Sequence, residues 1–172
     1  MILRKTTVKD LDAIMELIEQ GRASLKKMGV DQWQQGYPNE ASILEDINNG
    51  ESYVLERSGE IAATTMISFS GEKTYELIDN GQWLTSNAYG VLHRVAVSNS
   101  FKGTGSAELL LKGAEEICRS NKIKSLRVDT HENNLPMKKL LAKTGFDHCG
   151  IIYLAGNGTP KEPRDAFEKI IS

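Results

Sequence analysis

Two cysteines, Cys118 and Cys149, are all the thiols this chain has, and they stand far apart within patterned stretches. Such a pair builds no disulfide framework, and buried reduced thiols are the expectation. Histidine is scarce too. With three residues of it, no metal site is expected. No stretch is apolar for long enough to span a bilayer. The N-terminal MILRKTTVKD lacks the apolar run of a signal peptide, so a cytoplasmic protein with no membrane partner is expected. Charge of one sign does not accumulate either. With 21 Lys and Arg against 23 Asp and Glu the net charge is -2, which gives no reason to expect nucleic acid as a partner. Internal repeats and linkers are missing, so residues 1–172 are expected to form one domain. A content of 40% hydrophobic and 26% charged residues belongs to an ordinary globular protein.

What is present is patterned. Residues 2–6 read as a short strand, and Thr7-Val8-Lys9-Asp10 has the form of a capping box. Leu11, Ile14, Met15 and Ile18 make the apolar stripe of a first helix, which runs or restarts through Leu25 to Met28 before Gly29 ends it. A loop, GVDQWQQGYP, leads to a second helix that starts at Pro38-Asn39 and turns Ile43, Leu44 and Ile47 inward. Residues 52–56 and 61–69 read as an antiparallel hairpin turning at Ser58-Gly59. A polar loop with a short helical piece in 73–84 precedes the central strand VLHRVAV. The following helix repeats Leu109, Leu110, Gly113, Ala114 and Ile117 at helical spacing. A strand at 124–130 and a helix within 134–146 come next. The tail holds a strand from Ile151, a Gly/Pro loop (GNGTPKEP) and a last strand near 166–170. This order predicts an α/β fold with a mixed sheet and helices on both faces.

The chain is organised around Phe101-Lys102-Gly103-Thr104-Gly105-Ser106-Ala107, on the bend from the central strand into the next helix. Glycines there let the backbone approach a ligand closely and take up φ values closed to other residues. The first amides of a helix have no internal partner, and the helix dipole adds partial positive charge. A phosphate is the natural guest. A P-loop would need Lys-Ser or Lys-Thr after the last glycine of a longer run, and Glu108 stands five residues after Gly103 instead. A dinucleotide fingerprint matches only at Gly103 and Gly105, with Glu108 in place of the third glycine.

Taken as basic-x-x-Gly-x-Ala, the residues Lys102, Gly105 and Ala107 resemble the acyl-CoA pyrophosphate loop of the GNAT N-acetyltransferase superfamily. That family more often has Arg or Gln at the first position, so Lys102 is a mild departure. The resemblance continues through a fifth strand at 124–130, Asn134, and the Gly145-Phe146 that opens the next strand. It implies a GNAT-like fold of about seven mostly antiparallel strands, with strands 4 and 5 splayed. It also implies acetyl-CoA as co-substrate, gripped by Lys102, Gly103, Thr104, Gly105, Ser106 and Ala107. The backbone of Val95, Ala96 and Val97 would pair with pantetheine as an added strand, and Asn134 would touch the same region. Helix N-capping is the other reading of Asn134.

Acetyl transfer to an amine needs a neutral amine, donors for an oxyanion, and a proton for the departing thiolate. Among bases His93 leads, two residues before Val95 on the central strand, with a structural histidine as the alternative. Asp129 and His131 are second candidates at a strand end, with turn formation as their other reading. Arg94 falls on the opposite face from His93 in a regular strand and reads as an ion-pair partner. Where the family often carries a proton-donating tyrosine, seven residues past Asn134, this chain has Leu141. Tyr153 and Tyr89 are the fallback donors. Asp31, Trp33, Gln34 and Tyr37 occupy the loop that in this superfamily borders the acceptor, though Trp33 and Tyr37 as packing residues are an equal reading. No cysteine lies in the central motif, which favours direct sequential transfer. The expected partner is a small-molecule or peptide amine, and nothing decides between monomer and homodimer. Two other readings stand: a CoA-binding sensor without catalysis, encouraged by Leu141, and a nicotinamide oxidoreductase.

Overall fold

Capping and glycine punctuation set the element boundaries in the computed structural model, which describes residues 1–154 and 161–172. Strand β1 (Ile2–Lys5) passes through a single 3-10 turn into helix α1 (Leu11–Lys27). The Asp10 carboxylate accepts a hydrogen bond from the Thr7 amide at 2.8 Å and braces that entry. Helix α1 is continuous and ends at Gly29, whose φ is 72°. Asn39 caps α2 (Glu40–Asn48), its side chain accepting from the Ser42 amide at 2.9 Å. The hairpin follows as β2 (Ser52–Arg57) and β3 (Glu60–Ser68), with Ser58 and Gly59 both at positive φ in the turn. Then come β4 (Gly90–Val97), α3 (Ser106–Ser120), β5 (Ser125–Thr130), α4 (Leu135–Lys143), β6 (Asp147–Leu154) and β7 (Glu162–Ile170).

The strands form one mixed sheet in the order β1-β2-β3-β4-β5-β7-β6. Pairing is antiparallel between β1 and β2, β2 and β3, β5 and β7, and β6 and β7. The β4–β5 ladder is parallel and pairs Gly90 with Leu126 and Val91 with Arg127. The chain divides into two compact units, Met1–Ile67 with Leu92–Ala114 and Ser68–Val91 with Glu115–Ser172.

In the first unit the alternation of Val95, Ala96 and Val97 at the end of β4 decides the layers. Ala96 joins Leu11, Ile14, Leu17 and Ile18 of α1, Ile43 of α2 and Val54 in one buried cluster. Val95 and Val97 turn the other way, onto Leu55, Ala63 and Leu110 of α3. Helices therefore cover both faces, as the element order predicts. The stripe of α3 is Leu110, Leu111, Ala114 and Cys118, all fully buried, whereas Leu109 is 42% exposed. Leu109, among the residues that repeat at helical spacing, sits one residue, about 100° of helix, away from that stripe and turns outward. Gly113 stays in the stripe for a steric reason, since an added Cβ there would meet Leu3 Cδ2 at 2.4 Å.

The second unit packs Tyr75, Val91, Ile152 and Ala166 together. It also buries an ion pair, Arg127 Nε to Glu168 Oε1 at 3.1 Å. Both tail strands start four residues earlier than expected, at Asp147 and Glu162. Charged residues along β7, two of them buried (Arg164 and Glu168), conceal its alternation from sequence. Most of the expected Gly/Pro loop, residues 156–160 of 156–163, lies outside the described residues. Among the described residues no helix is long and apolar enough to cross a membrane.

Candidate functional site

The bend after β4 is built from local hydrogen bonds. Ser98 donates its amide to Ala62 O at 2.9 Å, and a 3-10 turn, Asn99–Phe101, follows. The Thr104 hydroxyl donates to Phe101 O at 2.7 Å and shares a 2.8 Å hydrogen bond with Ser106 Oγ. Ser106 is buried, so these hydroxyls brace the bend from within. Gly103 and Gly105 both take positive φ, 75° and 80°, the requirement that the sequence points to. The first α-helical bond of α3 runs from the Leu109 amide to Gly105 O, which leaves the preceding amides outside the helical ladder. An added Cβ would meet nothing within 4 Å at Gly103, and at Gly105 only Glu108 Oε2 at 3.8 Å. The bend is thus open, with its backbone accessible. Helix α1 steadies it from the side: Gln20 Oε1 accepts from the Asn99 amide at 2.7 Å, and Ser24 Oγ from exposed Lys102 Nζ at 3.0 Å. Gln20 and Ser24 escaped sequence reading. Their signal is two polar residues one helical turn apart.

Upstream, β4 is not a regular strand. Arg94 has φ 56°, rare for a residue with a side chain. Its ion-pair role is as expected: Nη1 donates to Asp46 Oδ2 at 2.7 Å, with little of either side chain exposed. Nη2 donates to the Tyr37 hydroxyl oxygen, and the guanidinium lies 5.2 Å from the Tyr37 ring centre. The expected separation of His93 and Arg94 onto opposite faces does not isolate them, because both side chains act on the Asp46 carboxylate. The left-handed residue breaks the alternation that the regular-strand expectation assumed. Asp46 was overlooked in the sequence, although an acid three residues after inward-facing Ile43 is the signal.

Burial pushes the Asp46 carboxyl up to about 6, against the opposing pull of Arg94. The folded chain then holds a proton between about pH 4 and 6 that the unfolded chain has released. The stability this group contributes is present below about pH 4 and is lost as pH rises through about 6. Urea unfolding across that range should show a decline of up to about 3 kcal/mol in the parent chain that Asp46→Asn lacks. Parallel pH profiles for the two proteins would contradict the assignment.

In the loop after α1, Trp33 and Gln34 do structural work. The Trp33 ring packs on the α1–α2 core and lies 2.9 Å from where a Cβ on Gly21 would stand. Gln34 Nε2 donates to Arg22 O at 3.1 Å, and Arg22 reaches back to Trp33 O and Pro38 O, each at 2.7 Å. The Tyr37–Pro38 peptide bond is cis, and Tyr37 itself is 52% exposed.

The other candidates belong to the second unit. Asp129 accepts from the Tyr75 hydroxyl at 2.6 Å, and burial pushes that fully enclosed phenol well up. His131 Nδ1 accepts from the Asn133 amide at 3.1 Å, a turn contact. Asn134 caps α4, accepting from the Met137 amide at 3.3 Å. Leu141 is fully buried. Tyr89 stacks on Arg127, 3.9 Å from its guanidinium, and its hydroxyl accepts from the Glu72 amide. Tyr153 pairs with Pro163 in the β6–β7 ladder. Among the described residues no group of acids, cysteines and histidines could hold a metal.

Comparison with known proteins agrees with this geometry. The profile of the acetyltransferase (GNAT) family matches residues 15–146. A GNAT-family acetyltransferase from Streptococcus agalactiae 2603 is 38% identical, with a TM-score of 0.88 over 98% of this chain and 94% of that one. Another, from Listeria monocytogenes 4b F2365, shares the fold at 22% identity and a TM-score of 0.73, over 98% and 94% of the two chains. Streptothricin acetyltransferase from Escherichia coli is 32% identical over 72 residues, 42% of this chain and 40% of the relative's length. With the open glycine bend between β4 and α3, these likenesses place the chain in the acetyltransferase (GNAT) family, whose chemistry is acetyl transfer from acetyl-CoA.

Proposed function

We propose that this chain is an N-acetyltransferase that passes the acetyl group of acetyl-CoA directly to a primary amine on a small molecule or peptide. The observation that carries this reading is the bend at 102–107. Two glycines at positive φ, an open backbone and the start of a 15-residue helix together form a donor set suited to a diphosphate. The amides ahead of Leu109 and the Lys102 ammonium are the groups assigned to it. The backbone of Val95, Ala96 and Val97 is assigned to the amides of the pantetheine arm. Bound acetyl-CoA supplies an activated acetyl group and a thiol leaving group.

The chain's own part is to deprotonate the acceptor and to hold it. His93 is the assigned base, because it precedes the left-handed Arg94 on the strand that binds the cofactor and an imidazole titrates near neutral pH. The cysteines argue for direct transfer. Burial pushes the Cys118 thiol up to about 12 and raises that of Cys149, which leaves neither as a ready nucleophile. His93→Ala should lower kcat/KM by about 10²–10⁴-fold and remove the acidic limb of the pH–rate profile. A wild-type acidic limb in the variant would take His93 out of the role.

A second reading, a CoA-binding sensor, is favoured by one observation: Leu141, where relatives often place a proton donor, is a fully buried core residue. Release of free thiol from acetyl-CoA across a panel of amines separates the two. Turnover supports the transferase, and tight CoA binding without turnover on any amine supports the sensor.

A further inference from the structure

Arg94 gives only two of its three nitrogens to the protein. Nη1 donates to Asp46 and Nη2 to the Tyr37 hydroxyl oxygen. Nε is buried, and among the described residues nothing accepts its hydrogen bond. A buried donor left unmade is costly, and native proteins rarely tolerate one without a reason. The backbone adds a second irregularity, because Arg94 stands at φ 56° in mid-strand. Such outliers persist where their surroundings hold them, and they concentrate at functional positions. Tyr37 supplies a third observation. It is 52% exposed, its oxygen accepts from Arg94, and among the described residues nothing accepts from its own O–H.

Nε and Nη2 form one edge of the guanidinium fork, the geometry that grips a carboxylate with two parallel hydrogen bonds. Nη2 carries two hydrogens, of which Tyr37 takes one, and the Tyr37 hydroxyl bonded there has its own O–H to donate. Asp46 occupies the far side through Nη1, so the cation is already balanced. Recognition there depends on donor geometry more than on net charge. Glu45 and Glu51 also act on Asp46, which disfavours a ligand carrying several negative charges. A singly charged carboxylate fits.

We infer that the Nε–Nη2 edge of Arg94, with the Tyr37 hydroxyl, is a subsite for a carboxylate on the acceptor, so the amine substrate is of the amino-acid type. The role of that ligand as acceptor rests on the acetyl-transfer reading. Its binding rests on the geometry of Arg94 and Tyr37 alone.

Isothermal titration of the protein saturated with CoA, which has no acetyl group to transfer, tests binding without chemistry. Lysine is compared with cadaverine, and phenylalanine with phenethylamine, so that each pair differs by one carboxylate. The carboxylate-bearing member should bind about tenfold more tightly or better. Tyr37→Phe, at an exposed position, and Arg94→Lys, which keeps a cation for Asp46 but has no Nε edge, should each bring the ratio towards one with CoA affinity unchanged. Equal affinities within each pair, no binding of either member, or a preference that survives both substitutions would overturn the inference. Thiol release measured alongside keeps the two readings apart: a carboxylate preference without turnover removes the transferase reading and leaves the subsite standing.

Discussion

Gly105→Glu should abolish measurable CoA binding, a loss of at least about 100-fold in calorimetric affinity, while the chain still folds. Three effects act together. A side chain at φ 80° meets left-handed strain of about 1–2 kcal/mol. That lies within the reserve of an ordinary domain, roughly 5–15 kcal/mol, so the fold survives. The new carboxylate sits at the start of α3, where it is itself an anion for the free amides and the helix dipole, and so competes with the diphosphate in place. Its neighbour is Glu108, whose Oε2 lies 3.8 Å from the position of the added Cβ, and two acids there repel a polyanion. Gly105→Ala separates the contributions, because it carries the strain without the charge and should keep much of the affinity. Unchanged CoA affinity in Gly105→Glu would sink the assignment of the bend.

Glu168→Ala should cost about 3–5 kcal/mol of stability. The Glu168 side chain is fully buried and that of Arg127 is 5% exposed. Glu168 accepts from Arg127 Nε, from the Ser125 hydroxyl and from the Leu84 amide. Truncation therefore leaves a guanidinium buried without its counter-charge and removes the acceptor of two further donors. The same guanidinium lies against the rings of Trp83 and Tyr89, at 4.2 and 3.9 Å, and donates to Thr85 O. The loss thus spreads to the connection between β3 and β4. Replacing both partners, Arg127→Met with Glu168→Leu, should cost less than the single truncation, because no charge is stranded. Urea unfolding measures each variant. A change under about 1 kcal/mol in Glu168→Ala would contradict this account of the pair.

Local rules made much of this legible. The α1 stripe of Leu11, Ile14 and Ile18, the hairpin at Ser58-Gly59 and the glycine bend are short-range patterns, and each appears where the sequence predicts it. What stayed hidden depends on long-range partners. Arg94 and Asp46 lie 48 residues apart, and Arg127 and Glu168 lie 41 apart. The sequence does not say which distant residue satisfies a charge, even where, as at Arg94, an ion pair is expected. The left-handed Arg94 is hidden for a related reason, since an arginine in an apolar strand gives no hint of a φ that favours glycine. Trp33, for which the sequence left ligand contact and packing as equal readings, packs on the α1–α2 core. The residue that points to packing is Gly21, in mid-helix at a cost of about 0.5–1 kcal/mol relative to alanine, which makes room for the ring.

The most direct measurement is a crystal structure with CoA bound. The diphosphate should lie on the backbone amides between Gly103 and Leu109, with Lys102 turned from Ser24 towards it. Density for the diphosphate elsewhere, or the bend closed by one of the chain's own side chains, would contradict it.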